Sequence, residues 1–206
     1  MRTASLQVWY PMGGGAVNYS DAIEDLAGQV DSLDARRKGA LFWLLGSGLV
    51  TGLQPPAPWA HWFVDARRLG YHFVITGEAL NGTRDAWGVA LTPTGHDSSQ
   101  LLNSAIICVS TPLGLAIDRH MTVGAWVENA FFPLMQSESL RLFGDVAMSD
   151  NDEELDMVFT QPAIQRCVEY CKTALSRLVN MAPDRAGTVM KELLEGAKSF
   201  APPDAL

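Results

Sequence analysis

The spacing of apolar residues predicts amphipathic helices near both ends of the chain. Between Ser20 and Leu33, apolar side chains recur every three or four residues, at Ile23, Leu26, Val30 and Leu33. Ser20 is a suitable N-cap, and the acids that follow it suit the positive end of a helix dipole. The same spacing predicts helices over 161–181 and 183–200, and residues 34–46 predict a helix with a basic start and an apolar end.

Other segments follow patterns that are typical of strands. Residues 71–76 and 87–91 alternate between the two faces of a strand, and Asn81-Gly82 between them is a strong hairpin signal because both residues tolerate positive φ. We therefore predict a hairpin over 70–92. A continuous apolar run at 103–110 predicts a central strand, and shorter patterns predict strands at 6–10 and 139–148. Residues 123–135 are interpreted as helical up to Pro133.

This mixed order of helices and strands, without regular alternation, favours an α+β fold. We expect a mainly antiparallel sheet packed against several helices in a single domain over 1–206. Within it, residues 54–58 form a Pro-rich connector and residues 145–156 form an acidic segment.

Charge and composition restrict the partners. The formal net charge of −8 repels nucleic acid and anionic membranes and attracts basic proteins, so we expect neither a nucleic-acid nor a membrane partner. The apolar run at 40–53 is short for a membrane span and is interpreted as a buried core helix. Three cysteines do not suggest a disulfide framework, and no signal peptide is visible, so a cytoplasmic location is expected.

The glycine loop Gly13–Gly15 lies between a predicted strand and a predicted helix, the layout that phosphate-binding proteins use. A P-loop needs a lysine directly after its glycines, and a dinucleotide fingerprint needs a third glycine where Asn18 stands. Acids at the start of the helix would also repel phosphate. A flexible connector is the favoured interpretation, and a small-ligand domain or enzyme that uses this loop remains the alternative.

Candidate metal and catalytic residues are few. Cys167 and Cys171 share one helical face, but no further ligands complete a zinc site, and core packing is the favoured interpretation. The turn at 96–99 places a histidine, an aspartate and two serines together, although triad members usually converge from distant segments. Local capping is the preferred role for that turn. We expect no catalytic residue, no metal and no cofactor.

The acidic segment is the most informative stretch. It holds six acids and no base, at Asp145, Asp150, Asp152, Glu153, Glu154 and Asp156, with apolar residues among them. A solvated loop is one interpretation. The other is a surface that binds a basic protein, in which charge steers the encounter and apolar side chains anchor it. The aromatic cluster at 59–63 could serve a similar surface, but core packing is favoured.

The order of segments resembles immunity proteins of polymorphic-toxin and type VI secretion systems, in particular the group paired with restriction-endonuclease-like toxins. The resemblance lies in the segment ending in "VWY" and the helix after it, in "GYHFVI" with Leu80-Asn81-Gly82, and in "NSAIICVSTP" and "VGAWVENAFFPL". It implies a non-enzymatic antitoxin that covers the active site of a cognate basic toxin. An assembly subunit of a phage or secretion apparatus, whose aromatic patches would make symmetric self-contacts, is the remaining alternative, and a second copy of the chain in a homodimer is a further candidate partner.

Overall fold

The computed structural model describes residues 18–91, 99–144 and 152–200, and 82% of these residues lie in helices. The described residues form nine α-helices, α1 to α9. Their bounds are Tyr19–Asp31, Ala35–Thr51, Ala57–Thr76, Thr83–Ala90, Gln100–Ile117, Phe132–Phe143, Asp152–Phe159, Pro162–Val179 and Ala186–Ala197. Short 3₁₀ helices cover Gly124–Ala130, Pro183–Arg185 and Lys198–Phe200. Buried side chains from all nine α-helices except α4 form one hydrophobic cluster, to which Thr83–Ala90 adds half-buried residues.

The α+β prediction is wrong, because no strand occurs in the described ranges. The segment predicted as the first hairpin strand belongs to α3, whose buried side chains Trp62, Ala66, Leu69 and Phe73 follow a helical period. Pro58 lies in the first turn of α3, where proline is tolerated. Gly82 does adopt a positive φ of 88°, but this residue starts α4 instead of turning a hairpin.

The predicted central strand at 103–110 lies within α5. Every residue from Cys108 to Leu115 is buried because α2, α3, α4 and the 3₁₀ helix Gly124–Ala130 surround α5. A helix that is covered on all sides is apolar all round, so its sequence loses the helical period. Among the described residues, α5 is also the one helix long and apolar enough to cross a membrane, and 67% of it is buried inside the protein.

The predicted last strand at 139–148 is wrong over its described part, which belongs to α6. Gly144 ends α6 with a φ of 73°, the left-handed conformation that commonly terminates helices. Most of residues 123–135 are helical as predicted, in the 3₁₀ helix Gly124–Ala130 and the start of α6, but Pro133 lies in the first turn of α6 and does not end the helix. The predicted strand at 6–10 and the glycine loop Gly13–Gly15 lie outside the described residues.

The helices predicted near the two ends of the chain are confirmed. Asn18 caps α1 in place of Ser20, because the Asn18 side chain accepts a hydrogen bond from the Asp21 N–H at 2.8 Å. Asp34 caps α2, in which every residue from Lys38 to Leu49 is buried, as the core-helix interpretation expected. In α8 the apolar stripe that includes Cys167 and Cys171 faces the core.

Glycines allow α2 to approach its neighbours closely. A Cβ on Gly46 would lie 2.7 Å from Val109 Cγ2 of α5, and a Cβ on Gly48 would lie 1.9 Å from the carbonyl oxygen of Ala197 in α9. Both distances are far below van der Waals contact. The "GSG" sequence in the middle of α2 therefore allows two helix crossings that larger side chains would prevent.

Candidate partner-binding surface

Three large apolar side chains are exposed on α6, which precedes the acidic segment, and on α7, which begins within that segment. Leu140 and Phe143 lie in the last turn of α6 and are 51% and 40% exposed, and Met157 of α7 is 52% exposed. The α6 helix buries Leu134 and Met135 at its start, and α7 buries Val158 and Phe159, so the exposed residues lie on faces that the core does not use.

A glutamine side chain holds the two helices together at this point. Arg141 Nη2 donates to Gln161 Oε1 at 2.7 Å, and Gln161 Nε2 donates to the carbonyl oxygen of Met157 at 2.9 Å. Arg141 also forms a 2.7 Å ion pair with Glu138. These hydrogen bonds of Arg141 and Gln161 thus connect the end of α6 to the end of α7. We define the α6–α7 surface as Leu140, Phe143, Glu153, Glu154 and Met157.

The predicted acidic residues take different positions. Asp145 and Asp150 lie outside the described residues, and Asp152 is the first residue of α7. Glu153 is exposed and Glu154 is half-buried in the first turn of that helix, where carboxylates complement the dipole. The structure therefore places these two glutamates on the same short helix as the exposed Met157.

Asp156, in contrast, participates in holding the fold together. Its Oδ1 accepts a hydrogen bond from the backbone N–H of Tyr19 at 2.7 Å, which gives a partner to an otherwise orphaned donor at the start of α1. The hydroxyl of Tyr19 donates to Glu128, and its ring packs edge-on against Phe159. Burial, and then the carboxylate of Glu128, raise the pKa of Tyr19. Tyr19 thus joins α1, α7 and the 3₁₀ helix Gly124–Ala130.

The other candidate residues show structural roles where they are described. Cys108, Cys167 and Cys171 are fully buried, which confirms core packing, and burial raises the pKa of the Cys108 and Cys171 thiols. No group of histidine, cysteine and carboxylate side chains suited to a metal occurs in the described parts of the chain. Within 96–99, Ser99 caps α5 by accepting from the Leu102 N–H at 3.2 Å, and the rest lies outside the described ranges.

The aromatic cluster at 59–63 is mainly a core feature, as favoured from the sequence. Trp62 and Phe63 are buried with their ring centroids 5.0 Å apart, and Trp62 Nε1 donates to the carbonyl oxygen of Ala86 at 2.9 Å. Trp59 packs edge-on against Trp62, whereas His61 is exposed. This cluster therefore joins α3 to α4.

Sequence reasoning missed Leu140 and Phe143 as surface residues. The signal was present, because residues 132–143 follow a helical period once Pro133 is read as a first-turn residue.

Comparison of the chain with protein-family models, with curated proteins and with solved structures found no significant match.

Proposed function

We propose that this chain is a non-enzymatic binding protein whose α6–α7 surface binds a basic protein. The observation that supports the proposal most directly is the exposure of Leu140 and Phe143 on α6 and of Met157 on α7, the helix that also carries Glu153 and Glu154. Interfaces of this kind combine buried apolar anchors with charges that steer the encounter. The net charge of −8 extends the same attraction over the whole molecule.

The finer proposal is that the partner is a bacterial toxin and that this chain is its cytoplasmic antitoxin. It is supported by the sequence resemblance and by charge complementarity, since a toxin that acts on nucleic acid is commonly basic. An antitoxin of this type acts by occupying the toxin surface and needs no catalytic group of its own. Asp156 supports the surface indirectly, because its hydrogen bond to Tyr19 attaches α7 to α1.

Capture from a lysate of the source organism tests the proposal when it is done with matched variants. Phe143→Ser together with Met157→Ser removes two anchors from the surface, and Val64→Ser together with Val179→Ser removes two exposed apolar side chains elsewhere. We expect the native chain and the second variant to retain the same basic protein, identified by mass spectrometry, and the first variant to lose it. Equal retention by both variants would reject the α6–α7 surface.

The antitoxin role needs a separate measurement. The captured protein is expressed alone and together with this chain, and cell growth is followed. We expect growth arrest that the native chain relieves and the Phe143→Ser/Met157→Ser variant does not relieve. If the captured protein is harmless when expressed alone, the antitoxin role is rejected, while the proposal that the α6–α7 surface binds this protein is unaffected.

A further inference from the structure

A basic cavity lies on the side of the fold formed by the start of α2 and the residues that follow α5. Its volume is about 510 Å³, and it is lined by Leu33, Asp34, Ala35, Arg36, Lys38, Phe73, Arg119 and His120. Four of these residues are arginine, lysine or histidine and only one is acidic. That is unusual for a chain with a net charge of −8. The volume lies within the range of small-molecule sites.

Asp34, which lines this cavity, and Asp31, which pairs with Lys38, are engaged by other partners, and Asp118 accepts a hydrogen bond from the backbone N–H of His120. Asp34 caps α2 by accepting from the Arg37 N–H at 3.0 Å, and its second oxygen pairs with the Arg37 guanidinium at 2.8 Å. Asp31 Oδ1 lies 3.3 Å from the Lys38 ammonium and accepts from two backbone N–H groups of the Val123-Gly124 pair. Lys38 is therefore neutralised by Asp31, and neither Asp31 nor Asp34 compensates Arg36 or Arg119.

Both arginines are held by the C-terminal end of α3. Arg36 donates to the carbonyl oxygens of Val74 and Ile75 at distances of 2.6–3.1 Å, and Arg119 donates to that of Gly77 at 2.6 Å. A helix C-terminus offers roughly half a negative charge. Two full positive charges thus meet about half a unit of negative charge, and among the described residues neither arginine forms an ion pair.

The arginines also retain donors that could bind a ligand. The hydrogen bonds of Arg36 use its Nε and Nη2, and those of Arg119 use Nη2, within the described parts of the chain. A guanidinium has five N–H donors in a planar fork that matches a carboxylate or a phosphate group. Because the helix end already fixes their orientation, little side-chain entropy is lost on binding an anion.

We propose that this cavity binds a small organic oxyanion. The half-buried Arg36 and the exposed Arg119 hold its carboxylate or phosphate group beside the exposed His120, and its apolar part lies against Leu33 and Phe73, which line the cavity. This site uses none of the residues of the α6–α7 surface, so its test is independent of the proposed partner.

Calorimetric titration of the full chain, in low salt and in a buffer without multivalent anions, tests the site. The probes are phenyl phosphate, benzoate and inorganic phosphate. We expect saturable binding of at least one aromatic anion, and whether phenyl phosphate or benzoate binds more tightly identifies the oxyanion. Inorganic phosphate should bind less tightly than phenyl phosphate because it lacks the apolar part. The absence of saturable binding by all three probes would overturn the proposal.

Variants separate this site from a general effect of charge. Arg119→Gln is expected to raise the dissociation constant at least about tenfold, since it removes a charge-assisted hydrogen bond to the anion. Arg68→Gln removes the same charge from an exposed Arg68–Asp65 pair elsewhere and should change the affinity less than about twofold. Equal weakening by both substitutions would contradict a site at Arg119.

A second variant is needed because Arg119→Gln also removes the hydrogen bond from Arg119 to the Gly77 carbonyl oxygen at the end of α3. His120→Ala keeps the α3 contacts, because the His120 side chain has no hydrogen-bond partner among the described residues. We expect a folded protein, verified by circular dichroism, with at least about threefold weaker binding, because the imidazole N–H donor at the rim of the cavity is lost. Unchanged affinity in both His120→Ala and a folded Arg119→Lys variant would also overturn the proposal.

Discussion

Asp156 of α7 accepts a hydrogen bond from the backbone N–H of Tyr19, at the first residue of α1, with an N–O distance of 2.7 Å. One member of a segment that looked like a solvated acidic run thus stabilises the start of a distant helix. Glu153 and Glu154 of the same segment precede Asp156 in the first turn of α7. The acidic segment therefore combines a structural carboxylate, Asp156, with two carboxylates in the first turn of α7.

Asp156→Ala should destabilise the protein by about 2 kcal/mol, because hydrogen bonds to charged groups are typically worth 1.5–3 kcal/mol and the Tyr19 N–H would lose its partner. The measurement is the free energy of unfolding in urea. Asp184→Ala, at an exposed acid without an ion pair in the described residues, is the control and should change it by less than about 0.5 kcal/mol. Equal effects of the two substitutions would contradict the structural role of Asp156.

Gly46→Ala should destabilise the protein by about 1–3 kcal/mol or more, since the added Cβ would overlap Val109 and force α2 away from α5. Gly28→Ala is the matched change in a helix with open space around the glycine, and it should stabilise by about 0.5–1 kcal/mol. Thermal and urea unfolding of both variants test this contrast. If Gly46→Ala leaves the free energy of unfolding unchanged, α2 and α5 pack less closely at Gly46 than its 2.7 Å Cβ distance to Val109 indicates.

Asp31→Ala should destabilise the protein by about 2–4 kcal/mol, because it leaves the buried Lys38 ammonium unpaired and removes the acceptor of the Val123 and Gly124 N–H groups. Asp65→Ala breaks the exposed pair with Arg68 and should cost less than about 1 kcal/mol. Urea unfolding of the two variants decides the point. Comparable losses would mean that burial of Lys38 adds nothing to the strength of its ion pair.

Alkaline pH should reduce stability through the buried thiols. Burial raises the pKa of Cys108 in the folded protein above its ordinary value of about 8.5, so the unfolded chain loses this proton first as the pH rises. The stabilisation is therefore fully present below pH 8.5 and declines above it. Relative to Cys108→Ala, the native chain should lose about 1.4 kcal/mol of unfolding free energy between pH 7 and pH 9.5. A constant difference between the two proteins would contradict a buried, protonated thiol.

Some helices that bury one face could be predicted from the sequence, and so could the buried α2, whereas the central α5 could not. The α1 and α8 helices each bury one face, so Leu26 and Val30, or Cys167 and Cys171, mark a clear helical period. The α5 helix is covered on all sides, and its apolar run has no period that separates a helix from a buried strand. The left-handed conformation suggested by Asn81-Gly82 does occur at Gly82, but it links α3 to α4.

The candidate sites were visible from the sequence only in part. The acidic run showed where charge is concentrated, while Leu140 and Phe143 were hidden by the strand prediction for their segment. The basic cavity could not be predicted, because Arg36 and Arg119 are far apart in the chain and meet only through the end of α3. Long-range packing of this kind is decided by the fold as a whole.

The most direct test of the α6–α7 surface is the dissociation constant of the complex with the captured basic protein, measured at 50 and 300 mM salt. Glu153→Lys/Glu154→Lys and the control Glu78→Lys/Asp184→Lys each change the net charge from −8 to −4, because each reversal adds two positive charges. Circular dichroism establishes that both variants are folded. We expect the native complex to weaken about tenfold or more at the higher salt concentration.

At 50 mM salt, the α6–α7 variant should bind at least about thirtyfold more weakly than the native chain, and the control less than about threefold more weakly, because local charges at an interface act more strongly than distant ones. Equal weakening in the two variants, or native affinity in the Glu153→Lys/Glu154→Lys variant, would contradict binding of the basic protein through the α6–α7 surface.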